Sequence, residues 1–115
     1  MRNLHRVIVG LFLLLGLTTV TAEPEPLWLD VRTVDEYNAD HIDGSVLLPH
    51  TNINRVSAMA LGEKNDPIYV YCRSGRRSAI ALKTLEELGF TNVTDLGAYS
   101  AAQQLFYQEN PAPGE

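Results

Sequence analysis

Two periods of apolar positions run through this chain. Leu27-Trp28-Leu29-Asp30-Val31 is a short apolar run that predicts a buried strand, and Ile68-Tyr69-Val70-Tyr71 is the most strand-like stretch of all. Between them, Thr33-Val34-Asp35-Glu36 has the T-x-x-E spacing of a capping box, which opens a short helix toward Asp40. Asp43-Gly44 marks a turn, and Ser45 to Leu48 a short strand closed by Pro49. Asn52 is placed to cap a helix carrying Ile53, Val56 and Ala60 on one face, with Gly62 just past its end. Cys72 to Arg77 is a polar loop. From Ser78 the period becomes helical: Ala81, Leu82, Leu85 and Leu88 make an apolar stripe that stops at Gly89. Val93 to Leu96 predicts another strand. Ser100-Ala101-Ala102-Gln103 predicts a second capping box before a helix around Leu105-Phe106, which Asn110-Pro111-Ala112-Pro113 ends. Strands and helices alternating through short connections predict an α/β fold, a mainly parallel central sheet flanked by helices on both faces. Ligands of such sheets bind at the carboxyl ends of the strands.

The first residues follow a different pattern. Arg2, His5 and Arg6 precede an apolar run from Val7 to Leu17, and Thr18 to Ala22 is a small-residue exit ending Val20-Thr21-Ala22. This order predicts a cleaved signal peptide, residues 1–22, and a single exported domain, residues 23–115, that works outside the cytoplasm. The uncharged stretch from Val7 to Ala22 is shorter than the roughly 18–20 residues that span a bilayer, so no stable membrane insertion is expected. No cysteine follows the run, which excludes a lipidated cysteine at the new N-terminus.

Composition narrows the choice further. The chain has 115 residues, 45% of them hydrophobic, and a formal net charge of −5. Removal of 22 residues leaves 93, and the loss of Arg2 and Arg6 takes the net charge to −7. An acidic balance argues against nucleic acid as a partner, because nucleic-acid-binding domains carry a basic footprint. One cysteine permits neither a disulfide framework nor a cysteine-only metal cluster. In an oxidising compartment, a single thiol is either inert and buried or kept for chemistry.

The surroundings of that cysteine favour chemistry. Cys72 stands where a strand ends and a helix is about to begin, followed by Arg73-Ser74-Gly75-Arg76-Arg77-Ser78. A helix N-terminus offers unpaired N–H groups and a partial positive charge. A short loop can aim further N–H groups at the sulfur as an anion nest, and Gly75 permits backbone conformations closed to other residues. Arg73, Arg76 and Arg77 add positive charge. All of these favour the thiolate, of which an unperturbed cysteine has only a few per cent at pH 7. Loop length selects the reaction. Four residues separate Cys72 from Arg77, one fewer than in cysteine phosphatases, whose loop encloses a tetrahedral phosphate. The tighter loop suits a smaller terminal group, such as the outer sulfur of a persulfide. A phosphatase or arsenate reductase is the reading that this length disfavours.

These residues resemble a single-domain rhodanese. Leu29-Asp30-Val31-Arg32, Glu36-Tyr37, His41-Ile42-Asp43-Gly44-Ser45 and Leu48-Pro49 are similar to the first signature of that family, and Cys72 to Ser78 matches its loop pattern C-x-x-G-x-R-[S/T]. Asp40 departs from the family's usual glycine before the histidine, and Ala98 and Ala102 replace a glycine and a tryptophan near the end. The resemblance implies a thiosulfate sulfurtransferase: Cys72 is the nucleophile, the loop residues Arg73, Ser74, Gly75, Arg76, Arg77 and Ser78 bind the donor, and the sulfur passes to cyanide or a thiol. It implies no metal and no organic cofactor. Partners would be thiosulfate, cyanide or small thiols, with a thiol-bearing protein as a further acceptor. Asp30 and Arg32 look structural in such a fold. His41 and His50 read as turn or packing residues rather than ligands, since no carboxylate or thiol stands at ligand spacing. Tyr69 and Tyr71 are expected in the packing layers or at the rim. The alternative from another class is a non-enzymatic persulfide carrier or partner-binding module in a sulfur relay.

Overall fold

The computed structural model describes residues 24–114, and the predicted leader, residues 1–22, lies outside them. Four parallel strands, β1 (Leu27–Asp30), β2 (Val46–Leu47), β3 (Ile68–Cys72) and β4 (Val93–Ala98), lie side by side in the order β2-β1-β3-β4. Helix α1 (Val34–Ala39) joins β1 to β2, α2 (Arg76–Glu87) joins β3 to β4, and α3 (Tyr99–Glu109) follows β4. Two 3₁₀ turns, His50–Asn52 and Ser57–Leu61, lie between β2 and β3. The expected α/β class and parallel sheet are found.

The alternation of β3 decides which layer each residue enters. Ile68, Val70 and Cys72 join Leu29, Val31, Ala58, Leu61, Phe90 and the α2 residues Ala81 and Leu85 in one core. Tyr71 goes to the other face, with Ile42 and Ala102, against Trp28, Leu96, Tyr99 and Phe106. Helices therefore cover both faces. Parity also puts the sulfur on the α2 side, and a one-residue slip of β3 would send it to the α3 side. Ala102, where the family usually carries tryptophan, is fully buried in the smaller core.

The first capping box folds as expected. Thr33 and Glu36 form the reciprocal capping box, with the Glu36 N–H donating to Thr33 Oγ1 at 3.2 Å and the Thr33 N–H to Glu36 Oε1 at 3.0 Å. Several boundaries differ from expectation. No continuous helix follows Asn52. The chain makes the two 3₁₀ turns instead, and Asn54 accepts from the N–H groups of Val56 and Ser57 at 2.9 Å each. Ile53, Ala58 and Leu61 are buried, whereas Val56 and Ala60 face solvent. The three-residue repeat of a 3₁₀ turn replaces the helical face assumed for this stretch. Strand β2 is two residues long rather than four, because Ser45 belongs to the preceding turn, donating its N–H to Ile42 O at 2.9 Å. Strand β4 runs on to Ala98, and its pairing with β3 shifts by one residue between Val70 and Tyr71. Helix α3 leaves β4 directly at Tyr99. Its N-cap is Ala98 and has no side-chain hydrogen bond, so the Ser100 capping box does not form.

Candidate active site

Strand β3 carries Cys72 to the carboxyl edge of the sheet, and the chain then reverses through Arg73, Ser74 and Gly75 into α2. The helix begins at Arg76 rather than Ser78, so Arg76 and Arg77 occupy its first turn instead of the loop. Gly75 makes this possible: it is the N-cap, with φ +108°, in the region where a side chain is strained. The loop is laced to the next element. Ser74 bridges Ala98 in antiparallel fashion, and the Tyr99 N–H donates to Arg73 O at 3.3 Å. The cap of α3 that Ser100 does not supply is thus partly provided by the loop itself.

Around the sulfur, the Gly75 N–H donates to Cys72 Sγ at 3.0 Å. The thiol donates to Ser78 Oγ at 3.5 Å, and the Ser78 hydroxyl donates to Gly75 O at 3.0 Å. Ser78 is fully buried. Its hydroxyl can turn: it accepts from the thiol, and it can donate to a thiolate. Burial pushes the Cys72 thiol up. The Ser78 hydroxyl and the N–H groups of Ser78, Gly75 and Ser74 outweigh that, and the thiol lies below its ordinary value. Cys72 itself is only 1% exposed. The loop is at the surface, as expected, with the sulfur beneath it.

The three arginines separate. Arg73 and Arg76 project into solvent. Arg77 is half-buried and forks onto Glu36 of α1, Nη1 to Oε1 at 2.6 Å and Nη2 to Oε2 at 2.9 Å. The Arg77 hydrogen bonds hold the Glu36 carboxyl well below the usual range, at about 2, against a desolvation cost, with further help from Thr33. Glu36 in return raises Arg77, as does the charge at Cys72. Arg77 thus braces the first turn of α2 against α1 while keeping a positive charge near the sulfur. Glu36 is a site residue that the sequence marks only as a capping-box member and as part of a signature. Its pairing spans 41 positions, and no local pattern reveals it.

Other singled-out residues sit in the scaffold. Arg32 forks onto Asp30, with Nε to Oδ1 at 2.9 Å and Nη2 to Oδ2 at 2.6 Å, and donates to Asp40 O at 2.6 Å. Its guanidinium lies 4.5 Å from the centre of the Tyr99 ring. The buried Tyr71 hydroxyl donates to Ser45 Oγ at 3.1 Å and accepts from the Ile42 N–H at 3.3 Å. Tyr69 lies edge-on to Trp28, at 5.1 Å. His41 stacks on Tyr37 at 3.6 Å, with Nδ1 2.7 Å from Tyr37 O, and the His50 N–H donates to Val31 O at 3.0 Å. Among the described residues no group of three His, Cys, Asp or Glu side chains is placed to hold a metal ion, and no helix is long and apolar enough to cross a membrane. A small cavity of about 50 Å³ lies between the Asp40–Asp43 turn and α3, and none of the cysteine loop lines it.

What this arrangement can do is hold a sulfur anion under a ring of N–H and hydroxyl donors. Comparison with known proteins points the same way. The chain matches the Rhodanese-like domain family over residues 18–104. It is 34% identical over 90 residues to the thiosulfate sulfurtransferase PspE of Escherichia coli (strain K12), covering 78% of this chain and 84% of the relative. It is 43% identical over 68 residues to a putative sulfur carrier protein, YrkF of Bacillus subtilis (strain 168), covering 59% of this chain and 36% of that protein. Among solved structures, it is similar to a rhodanese with anions from E. coli, with a TM-score of 0.63 and 34% identity, covering 67% of this chain and 91% of the other.

Proposed function

The chain belongs to the rhodanese-like domain family, and from that premise we propose that it is a thiosulfate sulfurtransferase working through a persulfide on Cys72. The thiolate attacks the outer sulfur of thiosulfate. A bond forms from Sγ to that sulfur, and the sulfur–sulfur bond of the donor breaks, its electron pair leaving with sulfite. Cyanide or a thiolate then attacks the outer sulfur of the persulfide, and the Cys72 thiolate leaves. This is two-step covalent catalysis with ping-pong kinetics. The observation that carries the reading is the Gly75 N–H at 3.0 Å from Sγ, with the buried Ser78 hydroxyl beside it. These donors stabilise the attacking thiolate, and the same groups stand ready for a negative outer sulfur. Arg73, Ser74 and Arg76 line the approach for the anionic donor, Arg77 braces the loop and contributes charge, and no metal or organic cofactor takes part. Similarity to a rhodanese solved with anions supports an anionic donor. Steady-state kinetics with thiosulfate and cyanide alone test it: parallel double-reciprocal lines are expected, and no turnover would contradict it.

A second reading, a persulfide carrier loaded by another protein, draws support from the similarity to YrkF. Small-donor turnover separates the two. We further assign the mature chain to the periplasm, with residues 1–22 as its cleaved leader. N-terminal sequencing of exported protein should begin at Glu23, and a protein that sediments with membranes and retains Arg2 would overturn the assignment.

A further inference from the structure

We propose that the exposed face of α2 beside the cysteine loop docks an acceptor protein whose thiol is flanked by carboxylates, a step that rests on the persulfide reading above. Seven of the chain's nine Lys and Arg residues lie within residues 24–114. Arg32 is paired with Asp30 and Arg77 with Glu36, and the Lys64 ammonium lies 4.0 Å from the centre of the Phe90 ring. Arg55, Arg73, Arg76 and Lys83 remain, and none of the four forms an ion pair among the described residues. Three of them fall together. Arg76, Ile80 and Lys83 recur at i, i+4 and i+7 on α2, so they share one face. All three are exposed, opposite the buried Ser78, Ala81 and Leu85, and Arg73 adds a fourth exposed position at the loop. The result, over the first two turns of α2, is a basic strip with an apolar centre, which the exposed Glu86 and Glu87 bound at the far end of the helix, on a chain whose net charge is −5.

Its length argues for a macromolecule. Ile80 and Lys83 lie about 6 and 10 Å along the helix from Arg76, beyond the span of a two-sulfur anion seated at the loop. Only a larger acceptor touches both ends. The other side of the loop is less inviting: the Arg77–Glu36 pair is internally neutralised, and α1 carries the exposed Asp35. Carboxylates around the acceptor thiol would keep it protonated in the free partner, and the basic strip would favour its ionisation once docked, the proton passing to solvent. The docked thiolate attacks the outer sulfur of the persulfide and forms an S–S bond to it. The bond from Cys72 Sγ to that sulfur breaks, and its electron pair restores the Cys72 thiolate. No oxidant or reductant is consumed.

The test uses three synthetic peptides of equal length with one central cysteine, flanked by Glu, Ser or Lys. Thiosulfate-treated protein is freed of excess donor, and sulfur arriving on each peptide is followed by mass. At low salt, transfer to the Glu peptide should exceed transfer to the Lys peptide by about tenfold. The ratio should fall toward one near ~0.5 M salt, and fall at low salt in Lys83→Glu. Equal rates for the Glu and Lys peptides, or a ratio unchanged in Lys83→Glu, would overturn the docking surface. So would retention on phosphatidylglycerol vesicles without peptide preference. A labelled Glu peptide with serine in place of cysteine gives binding independently of chemistry, and Lys83→Glu should weaken it. A protein that takes no sulfur from thiosulfate yet binds this peptide through Lys83 would refute the sulfurtransferase reading and leave the docking surface standing.

Discussion

Two carboxylate–arginine forks stand among the described residues, and they do different work. Asp30 and Arg32 are two residues apart, with side chains 0% and 6% exposed, sealed by Tyr71 and Tyr99. Glu36 and Arg77 are 41 residues apart, 25% and 18% exposed, and join α1 to the first turn of the cysteine helix. Both have a shortest N–O distance of 2.6 Å. What differs is the solvent left around them and the elements they connect. The first fixes the carboxyl edge of β1 to the Asp40 turn. The second fixes the donor ring that serves the sulfur.

That contrast is broken most severely at Asp30. Asp30→Ala leaves the Arg32 guanidinium buried without its partner and should cost about 3–5 kcal/mol of stability. Denaturant unfolding measures this, and the surviving folded fraction should keep its activity per molecule. Glu36→Gln should cost less, about 1 kcal/mol, since water replaces part of what is lost. It should, however, reduce turnover in every folded molecule, because α2 loses its brace. Acid unfolding sharpens the difference. In the folded chain the Glu36 carboxyl titrates at about 2, below the ordinary value of 4.5, because Arg77 hydrogen-bonds to it. Its contribution is therefore complete above about 4.5 and is lost as the pH falls through about 2. Stability of Glu36→Gln should change less than wild type across that window.

How far the sequence reveals these two regions follows from distance along the chain. The capping box at Thr33, the stop at Gly89 and the strand beginning at Ile68 are local matters, and they read correctly. The Asp30–Arg32 pair is also local, which is why its structural role could be named. The Glu36–Arg77 fork depends on how α1 packs beside α2, and nothing in either segment encodes its partner. Errors at Asn52 and Ser100 arose where tertiary contacts overrode local chemistry. The 53–61 stretch needed Ile53, Ala58 and Leu61 inward, and α3 found its first partner in Arg73 O. The loop is two residues shorter at its helix end than the sequence suggests, because Gly75 lets the helix begin at Arg76.

Smaller effects should come from single donors. Ser78→Ala removes one hydrogen bond to the sulfur, worth about 1 kcal/mol. The pH profile of kcat/KM for thiosulfate should move to higher pH, with a few-fold loss at neutral pH, while Ser78→Thr should restore it. The exposed arginines matter least. Arg73→Ala and Arg76→Ala should each raise KM for thiosulfate about two- to five-fold at low salt, and the effect should fade toward ~0.5 M salt while that of Arg77→Ala persists. Unchanged KM at low salt would leave donor recruitment to the backbone N–H groups alone.

Intact mass spectrometry of the mature protein after treatment with thiosulfate tests the persulfide most directly. One sulfur, about 32 Da, should add to the wild-type chain and disappear on addition of cyanide, as a covalent intermediate requires. Cys72→Ser should gain nothing. A wild-type protein that stays at its original mass, or a Cys72→Ser protein that gains cyanide-labile sulfur, would contradict Cys72 as the sulfur carrier.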